Sequence, residues 1–296
     1  MKPAPFRYVA ARSADEIVAE LAQHGGDARL LAGGQSLVPM MNFRIATPSV
    51  LIDINGAREL GFIEASPDRI AIGALTRHAA LEDSEVVRAR LPLVAEAVGQ
   101  IAHRAVRNRG TIGGSLALAY PGAELPLLFV TLDARLRLRS SRGERLASAD
   151  AFIRGALATD LADDEFIHSA ELPALGEKAG SAFVEVSRRH GDFALAAAAA
   201  VIDLDARGRV RAIRAGIAGG TARPVRLDEV ERALIDEVPT TRLIEAAARA
   251  AIASVEVEDE RQYPAGYRKL LLQTVLQRAL ETAAARIKTR HAGACS

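Results

Sequence analysis

What the chain has little of excludes most classes of function. Cys295 is the only cysteine. A disulfide framework within the chain is therefore impossible, and so is a self-contained iron–sulfur cluster, which needs about four thiolates. Charge of one sign is also missing. Lys+Arg 38 against Asp+Glu 37 leaves a net charge of +1 with no basic tail, which argues against gripping nucleic acid or an anionic membrane. Only Lys2, Lys178, Lys269 and Lys288 are lysines and the other basic residues are arginines. With the abundant alanine, this reads as the coding bias of a GC-rich genome. His24, His78, His103, His168, His190 and His291 lie far apart, with no i, i+4 pair and no HExxH, so no metal site is expected. The longest apolar run, Phe193–Ile202, is too short to span a bilayer. MKPAPFRYVAARSADE has no apolar stretch after its lysine, so a signal peptide is not expected and the cytoplasm is.

A chain of 296 residues suggests two domains at roughly 100–200 residues each. Hydrophobic content of 49% with 25% charged residues fits a packed protein and excludes disorder. Ser13 and Glu16 make a capping box, and Ile17, Val18 and Leu21 give a helical apolar face to about His24, stopped by Gly25-Gly26. Arg29–Ala32 reads as a short buried strand running into Gly33-Gly34, and Val50–Ile54 as a second; Pro39 and Pro48 exclude a long helix between them. DRIAIGAL, from Asp68, alternates as a strand. Helical patterns follow near Thr76–Asp83 and from Pro92 to about His103.

RGTIGGS (Arg109–Ser115) reads as a second glycine loop, Glu124–Leu132 as an apolar helix, and Ala134–Ser140 as an antiparallel strand with one solvated face. PALGEKAG (Pro173–Gly180) marks the main boundary. Beyond it come strands at Ala182–Val186 and Leu195–Leu204, a hairpin turn at Asp205–Gly208 into Val210–Ala218, and helices at Thr240–Ala253 and from about Ala265 to Lys288. The class is α+β.

The pairs Gly33-Gly34 and Gly113-Gly114 share a context, LLAGGQSL and GTIGGSLA. Paired glycines let backbone N–H groups converge on an anion without Cβ obstruction. Gln35, Ser36, Thr111 and Ser115 add side-chain donors, so two such loops can clasp a diphosphate. Each loop on its own is equally a tight turn. Neither GxxxxGK[ST] nor GxGxxG occurs, which removes the P-loop and the Rossmann site. GxSxG is absent too, and Ser36 and Ser115 have no histidine nearby in sequence. RAVRNR (Arg104–Arg109) reads as a solvated face.

ARLLAGGQSLVPMMNFRIATPSVLIDI (Ala28–Ile54) and RNRGTIGGSLALAYPGAELP (Arg107–Pro126) closely resemble the FAD-binding medium subunit of molybdenum hydroxylases, the carbon monoxide, xanthine and nicotine dehydrogenase-type enzymes. The resemblance continues through SRRHGDFALAAAAAV (Ser187–Val201), AGIAGGTARPVRL (Ala215–Leu227) and YPAGYRKLLLQTVLQRAL (Tyr263–Leu280). It implies an α+β fold: a two-subdomain FAD-binding (PCMH-type) domain over residues 1–175, split near 55, and a C-terminal domain over 180–290 with a three-stranded antiparallel sheet and helices. By motif position, Ala32, Gly33, Gly34, Gln35 and Ser36 hold the pyrophosphate from one side, flanked by Leu31 and Leu37. Thr111, Gly113, Gly114 and Ser115, with Ile112 between them, hold it from the other. Glu124 falls on an acidic position contacting the flavin nucleotide, Ile101 on an apolar contact, and Ile167 on a position whose backbone meets the isoalloxazine. Asp192 and Phe193 occupy a segment where some relatives place a tyrosine over the ring.

Departures are Leu118 and Tyr120 where relatives often carry His and Asp, Ser115 where some have Asn, and Phe193, which lacks a tyrosine's hydroxyl. The implied function is an electron-transfer subunit with non-covalent FAD, since neither loop holds a His or Cys for a covalent link. The implied partners are an iron–sulfur small subunit with [2Fe–2S] clusters and a large subunit with the molybdenum cofactor, paired as a dimer of heterotrimers. No residue of this chain is assigned a catalytic role, because the substrate is oxidised in the large subunit. Two alternatives stay open: a free-standing FAD-dependent oxidoreductase of the same fold, and a scaffold whose glycine loops are only turns.

Overall fold

The computed structural model describes residues 2–176 and 178–293; Cys295 lies outside them. The first subdomain runs β1 (Arg7–Ala10), α1 (Ala14–His24), β2 (Ala28–Leu31), α2 (Leu37–Asn42) and β3 (Val50–Asp53). Its sheet is parallel, with β3 between β1 and β2. Ser13 caps α1 by accepting from the Glu16 N–H, and the Glu16 carboxylate accepts from the Arg12 N–H at 2.7 Å. The expected capping box is thus present with its return bond one residue earlier. Ile17, Leu21 and Ile52 fill the small core beneath.

The second subdomain contains β4 (Ile63–Ala65), β5 (Arg69–Gly73), α3 (His78–Asp83), α4 (Glu85–Arg90), α5 (Pro92–Val98), α6 (Arg104–Arg107), α7 (Ile112–Leu118) and α8 (Glu124–Thr131). There follow β6 (Arg135–Ser140), β7 (Gly143–Ser148), α9 (Ala149–Phe152), the hairpin β8 (Ile153–Gly155) and β9 (Ala158–Thr159), and β10 (Phe166–Pro173). The antiparallel sheet has the order β4-β5-β10-β6-β7. Its middle strand, β10, has no clean period in the sequence because a bulge between Ile167 and Ser169 breaks the alternation.

Two readings need correction here. The IGGS segment is not loop but the first turn of α7, because the Thr111 hydroxyl caps it by accepting from the Gly114 N–H. The arginines from 104 to 109 are not simply a solvated face. Arg107 is buried against Glu82 and the carbonyl oxygens of Ile101 and Ala102, which ties α6 to α3.

The C-terminal part has β11 (Gly180–Val186), β12 (Ala196–Leu204), β13 (Val210–Ala218), β14 (Val225–Arg226), α10 (Asp228–Leu234), α11 (Thr241–Ser254) and α12 (Ala265–Gly293). The expected three long antiparallel strands are extended by the two-residue edge strand β14. Five consecutive alanines in β12 contradict strand propensity, yet they are buried throughout. Ala197, Ala199 and Val201 enter the core of the second subdomain, whereas Ala196, Ala198, Ala200 and Ile202 enter the core under α11 and α12. Small side chains let helices close on both faces of one strand. Among the described residues no helix is long and apolar enough to cross a membrane.

The packing of α12 on β11 leaves no room at Gly180, where a Cβ would collide with the Ala283 carbonyl oxygen and lie 2.6 Å from Ile287 Cγ1. Gly180→Ala is expected to destabilise the chain by about 1–3 kcal/mol through overpacking. Chemical denaturation followed by circular dichroism measures this, and an unchanged midpoint would refute the contact.

Candidate functional site

Strand β2 ends at Leu31, and residues 32–36 turn the chain into α2. Gly34 has φ +71°, a left-handed conformation that glycine adopts without a Cβ penalty. The N–H groups of Gly33, Gly34, Gln35 and Ser36 donate to no acceptor among the described residues. Gln35 folds its amide back, donating from Nε2 to the Gly33 carbonyl at 3.2 Å. Unpaired amides following one another through a left-handed turn are the geometry from which anion-binding nests are made.

The two glycine segments meet directly. A Cβ on Gly33 would collide with the Arg109 carbonyl oxygen and lie 3.0 Å from Gly110 Cα. The first glycine therefore serves loop-to-loop contact, whatever it does for a ligand. Two residues that no sequence motif marks out strap the contact together. Asn55 Nδ2 donates to the Ala32 carbonyl at 2.9 Å, Arg77 Nη2 donates to Asn55 Oδ1 at 2.6 Å, and Arg77 Nη1 donates to the Arg109 carbonyl. Burial pushes the Asp53 carboxyl up, but hydrogen bonds from the Tyr8 hydroxyl and from Asn55 outweigh it and hold Asp53 below the ordinary carboxylate range.

The second segment offers a different surface. The Ile112 N–H donates to the Thr76 carbonyl at 3.1 Å, Gly113 to the Ala74 carbonyl at 2.8 Å, and Gly114 to Thr111 Oγ1 at 3.2 Å. The expected convergence of free amides is therefore absent at these three positions, because strand-end carbonyls and the cap already occupy them. What remains open is the Ser115 hydroxyl and bare Gly114, exposed, with only Thr111 Oγ1 within 4 Å of where a Cβ would stand; Thr111 itself is buried, its hydroxyl taken up by the cap.

Of the remaining sequence-selected residues, Ile101, Glu124, Asp192 and Phe193 lie on the segments that meet at the seam between the second subdomain and the C-terminal sheet, whereas Ile167 lies on β10, paired with Leu138 of β6. Helix α7 leads to this seam, through Ala119 at φ +48°, to Tyr120. The Tyr120 and Phe193 rings lie 4.1 Å apart at 31°. Gly191, at φ +84°, packs against Ala102 beside Ile101, and Gly122 packs against the Ala194 carbonyl. Asp192 lies 3.7 Å from Arg188. Glu124, 5% exposed, opens α8. Burial pushes its carboxyl up to about 8 against the hydrogen bond from its own backbone N–H, and the Glu185 charge adds to the rise. The Ile167 side chain packs into the main core. Glu185 and the stacking of Tyr120 were not legible in sequence, since both depend on partners from another domain.

Residues 4–175 match the FAD binding domain in molybdopterin dehydrogenase, and residues 181–283 match the CO dehydrogenase flavoprotein C-terminal domain. The chain belongs to this family of molybdopterin dehydrogenase flavoproteins. It is 41% identical over 283 residues to the 6-hydroxypseudooxynicotine dehydrogenase complex subunit alpha of Paenarthrobacter nicotinovorans, with 96% of each chain covered. It is 38% identical over 286 residues to the carbon monoxide dehydrogenase medium chain of Hydrogenophaga pseudoflava, covering 97% of this chain and 99% of that one. A solved carbon monoxide dehydrogenase of H. pseudoflava, in a form lacking the Mo-pyranopterin moiety, overlays it with a TM-score of 0.93 at 40% identity, covering 97% and 99%. Quinoline 2-oxidoreductase of Pseudomonas putida 86 gives 0.92 at 34%, also covering 97% and 99%.

In this flavoprotein His78 underlies the second glycine segment. Its N–H donates to the Gly110 carbonyl at 3.0 Å, and a Cβ on Gly110 would stand 2.9 Å from Nδ1. Both ring nitrogens are buried, and neither has a partner in full hydrogen-bond geometry among the described residues. Burial lowers its pKa from 6.5 to about 4; the nearby Thr111 backbone opposes the shift, and the Arg107 and Arg77 charges add to it. The unfolded chain binds this proton below pH 6.5 and the folded chain does not, so the stabilisation is full above pH 6.5 and drains away towards pH 4. His78→Gln is expected to flatten the fall in unfolding free energy between those values by up to about 3 kcal/mol, read from urea titrations at pH 7 and 4.5. An identical pH slope in the variant would show that His78 is not buried neutral.

Proposed function

We propose that this chain is the FAD-carrying electron-transfer subunit of a molybdenum-containing hydroxylase or dehydrogenase complex. Electrons come from a molybdenum-binding large subunit by way of a [2Fe–2S] small subunit and leave to an acceptor. The observation that carries this reading is the run of unpaired amides from Gly33 to Ser36. It is laid against Arg109 and Gly110 inside the segment that matches the FAD binding domain. We place the complex in the cytoplasm as a dimer of heterotrimers, following the preference for closed symmetry.

The residues present fit the cofactor. The amides of the Leu31–Leu37 turn would hold the diphosphate from one side. The Ser115 hydroxyl and the bare face of Gly114 would hold it from the other, with Thr111 capping α7 and Ile112 and Gly113 packed behind. Arg77 and Arg109 flank the contact and supply positive charge. Helix α7, roughly 10 Å long at 1.5 Å per residue, separates this end from the seam, where Ile101, Glu124, Ile167, Asp192 and Phe193 would surround the ring. Tyr120, whose ring lies against that of Phe193 at a tilt of 31°, carries the phenol that Phe193 lacks. When bound, the isoalloxazine supplies the redox chemistry, accepting electrons singly and releasing them singly or in pairs. The protein positions it.

The isolated chain is expected to bind one FAD that acid releases with its adenylate intact. It is expected not to oxidise the substrate of the complex until both other subunits are added. Reduction of the flavin by that substrate in the isolated chain, at the rate of the complex, would replace this reading with the free-standing oxidoreductase. A colourless folded chain that takes up no FAD would leave the glycine segments as turns. Arg77→Ala removes charged hydrogen bonds worth about 1.5–3 kcal/mol from the strap. It is expected to weaken FAD binding roughly ten- to hundredfold in a fluorescence titration, while circular dichroism stays that of the parent. Unchanged affinity would detach the strap from the cofactor.

A further inference from the structure

Two arginines are buried among the described residues, Arg107 and Arg268. Every guanidinium nitrogen of Arg107 donates, to Glu82 or to the carbonyls of Ile101 and Ala102. Arg268, 6% exposed on the first turn of α12, is held more loosely. Its Nη2 meets Glu260 at 2.7 Å, and its Nε is sealed from solvent with no acceptor among the described residues. Its Cζ lies 5.9 Å from the centre of the Tyr263 ring, within cation–π reach. Glu260 is half exposed, so the ion pair opens to water. Such a pair is weak support for a fold, because apolar side chains of similar volume often replace it at no cost. Its position points to another use.

The remaining nitrogen, Nη1, donates to the Gly219 carbonyl at 3.4 Å. Gly219 stands just past β13 at φ +93° and joins two further segments. Its N–H donates to the Pro121 carbonyl at 3.1 Å, and a Cβ on it would stand 2.8 Å from the Ala194 carbonyl oxygen. Pro121 follows Tyr120, and Ala194 follows Phe193. The two segments also hold one another. The Ala194 N–H donates to the Gly122 carbonyl at 3.2 Å, and the Ala123 N–H closes a turn on the Tyr120 carbonyl at 3.0 Å. Gly220 presses on α12 in turn, since a Cβ there would stand 2.9 Å from Leu272 Cδ1 and 3.6 Å from Arg268 Cβ. Arg268 thus reaches the junction that both ring-bearing segments contact, from a helix that carries neither ring.

We propose that Arg268 is a positioning residue for the flavin-ring end of the cofactor site. Its guanidinium fixes the Gly219 carbonyl and, through the Gly219 backbone, the Tyr120 and Phe193 rings. The link to the cofactor rests on the functional reading above, whereas the placing of the two rings concerns the chain itself. The planar guanidinium suits the task, because one rigid fork spans the Glu260 carboxylate and a backbone carbonyl. A lysine ammonium keeps the charge and lacks the fork.

Fluorine NMR of the full chain, with para-fluorophenylalanine incorporated in place of Phe193, tests the placing of the rings. Y120L supplies the signal of that position without its aromatic neighbour. R268M, whose side chain is long and apolar, is expected to keep the circular dichroism of the parent and to move the signal towards that of Y120L. R268K should move it in the same direction, and it decides the matter where R268M does not fold. E260Q breaks the ion pair but leaves the guanidinium on Gly219, so its signal should stay with the parent. An unmoved signal in the arginine variants overturns the proposal. Equal movement in E260Q overturns it too, because Arg268 would then serve only the segment before α12. The link to the cofactor is read from the emission of bound FAD after unbound FAD is removed. An aromatic ring against a flavin quenches that emission, so it should rise in R268M and not in E260Q. A moved fluorine signal with unchanged emission overturns the link and leaves the placing of the rings. A parent chain that binds no FAD overturns the functional reading, while the fluorine signals still decide the role of Arg268.

Discussion

Everything in this molecule depends on how closely backbone can approach backbone where side chains are small. The C-terminal sheet is buried on both faces, and that is possible only because β12 presents alanine to α8 on one side and to α12 on the other. Where alanine is too large, glycine stands: Gly216 against Thr131 of α8, Gly180 against Ala283 of α12, and Gly122 against Ala194 across the seam. Apolar area at a two-sided wall contributes twice per strand, at roughly 25 cal/mol per Å². That compensates for a composition with poor strand propensity. The two units therefore share one wall instead of meeting as separate globules, and the relative position of anything bound between them is fixed by close packing.

The same constraint builds the turn of unpaired amides after β2. Gly33 exists for contact with Arg109 and Gly110, and that contact orients the amides of the following residues outward and unpaired. The second segment uses its own amides internally, which fixes α7 rigidly against β5 through the Ala74 and Thr76 carbonyls. One segment thus supplies donors and the other supplies their support. Mutations that look equivalent in the sequence, Gly33 and Gly113 against Gly114, act by different means: the first two break packing, the third fills open surface.

Much of this was legible in the sequence. The capping box at Ser13, the alternation of Ala134–Ser140, the alanine strand and the two closing helices declare themselves through period and caps, which are local. Strand β10 does not, because its bulge at His168 breaks the period, and α10 is too short to show one. The glycine pairs announced an anion site but not which pair gives amides, since that depends on carbonyls more than thirty residues away. Asn55, Arg77 and Glu185 escaped for the same reason: each is ordinary until its partner arrives from elsewhere in the chain. The FAD assignment came from long motifs in order; spacing alone reached only a diphosphate.

Arginine is the other abundant residue, and its distribution separates rigidity from orientation. Arg286–Glu96, Arg226–Asp133 and Arg223–Asp150 each join the C-terminal part to the second subdomain, and all lie at the half-exposed rim of the shared wall. Exposed pairs contribute about 0–1 kcal/mol apiece, so they do not hold the wall together; they set its register and keep its edge wet. Inside that rim Arg107 is buried, but Glu82 and the Ile101 and Ala102 carbonyls already occupy its guanidinium. Glu124 therefore stays buried at the head of α8 without an ion-pair partner among the described residues, and burial alone suffices to favour its neutral form.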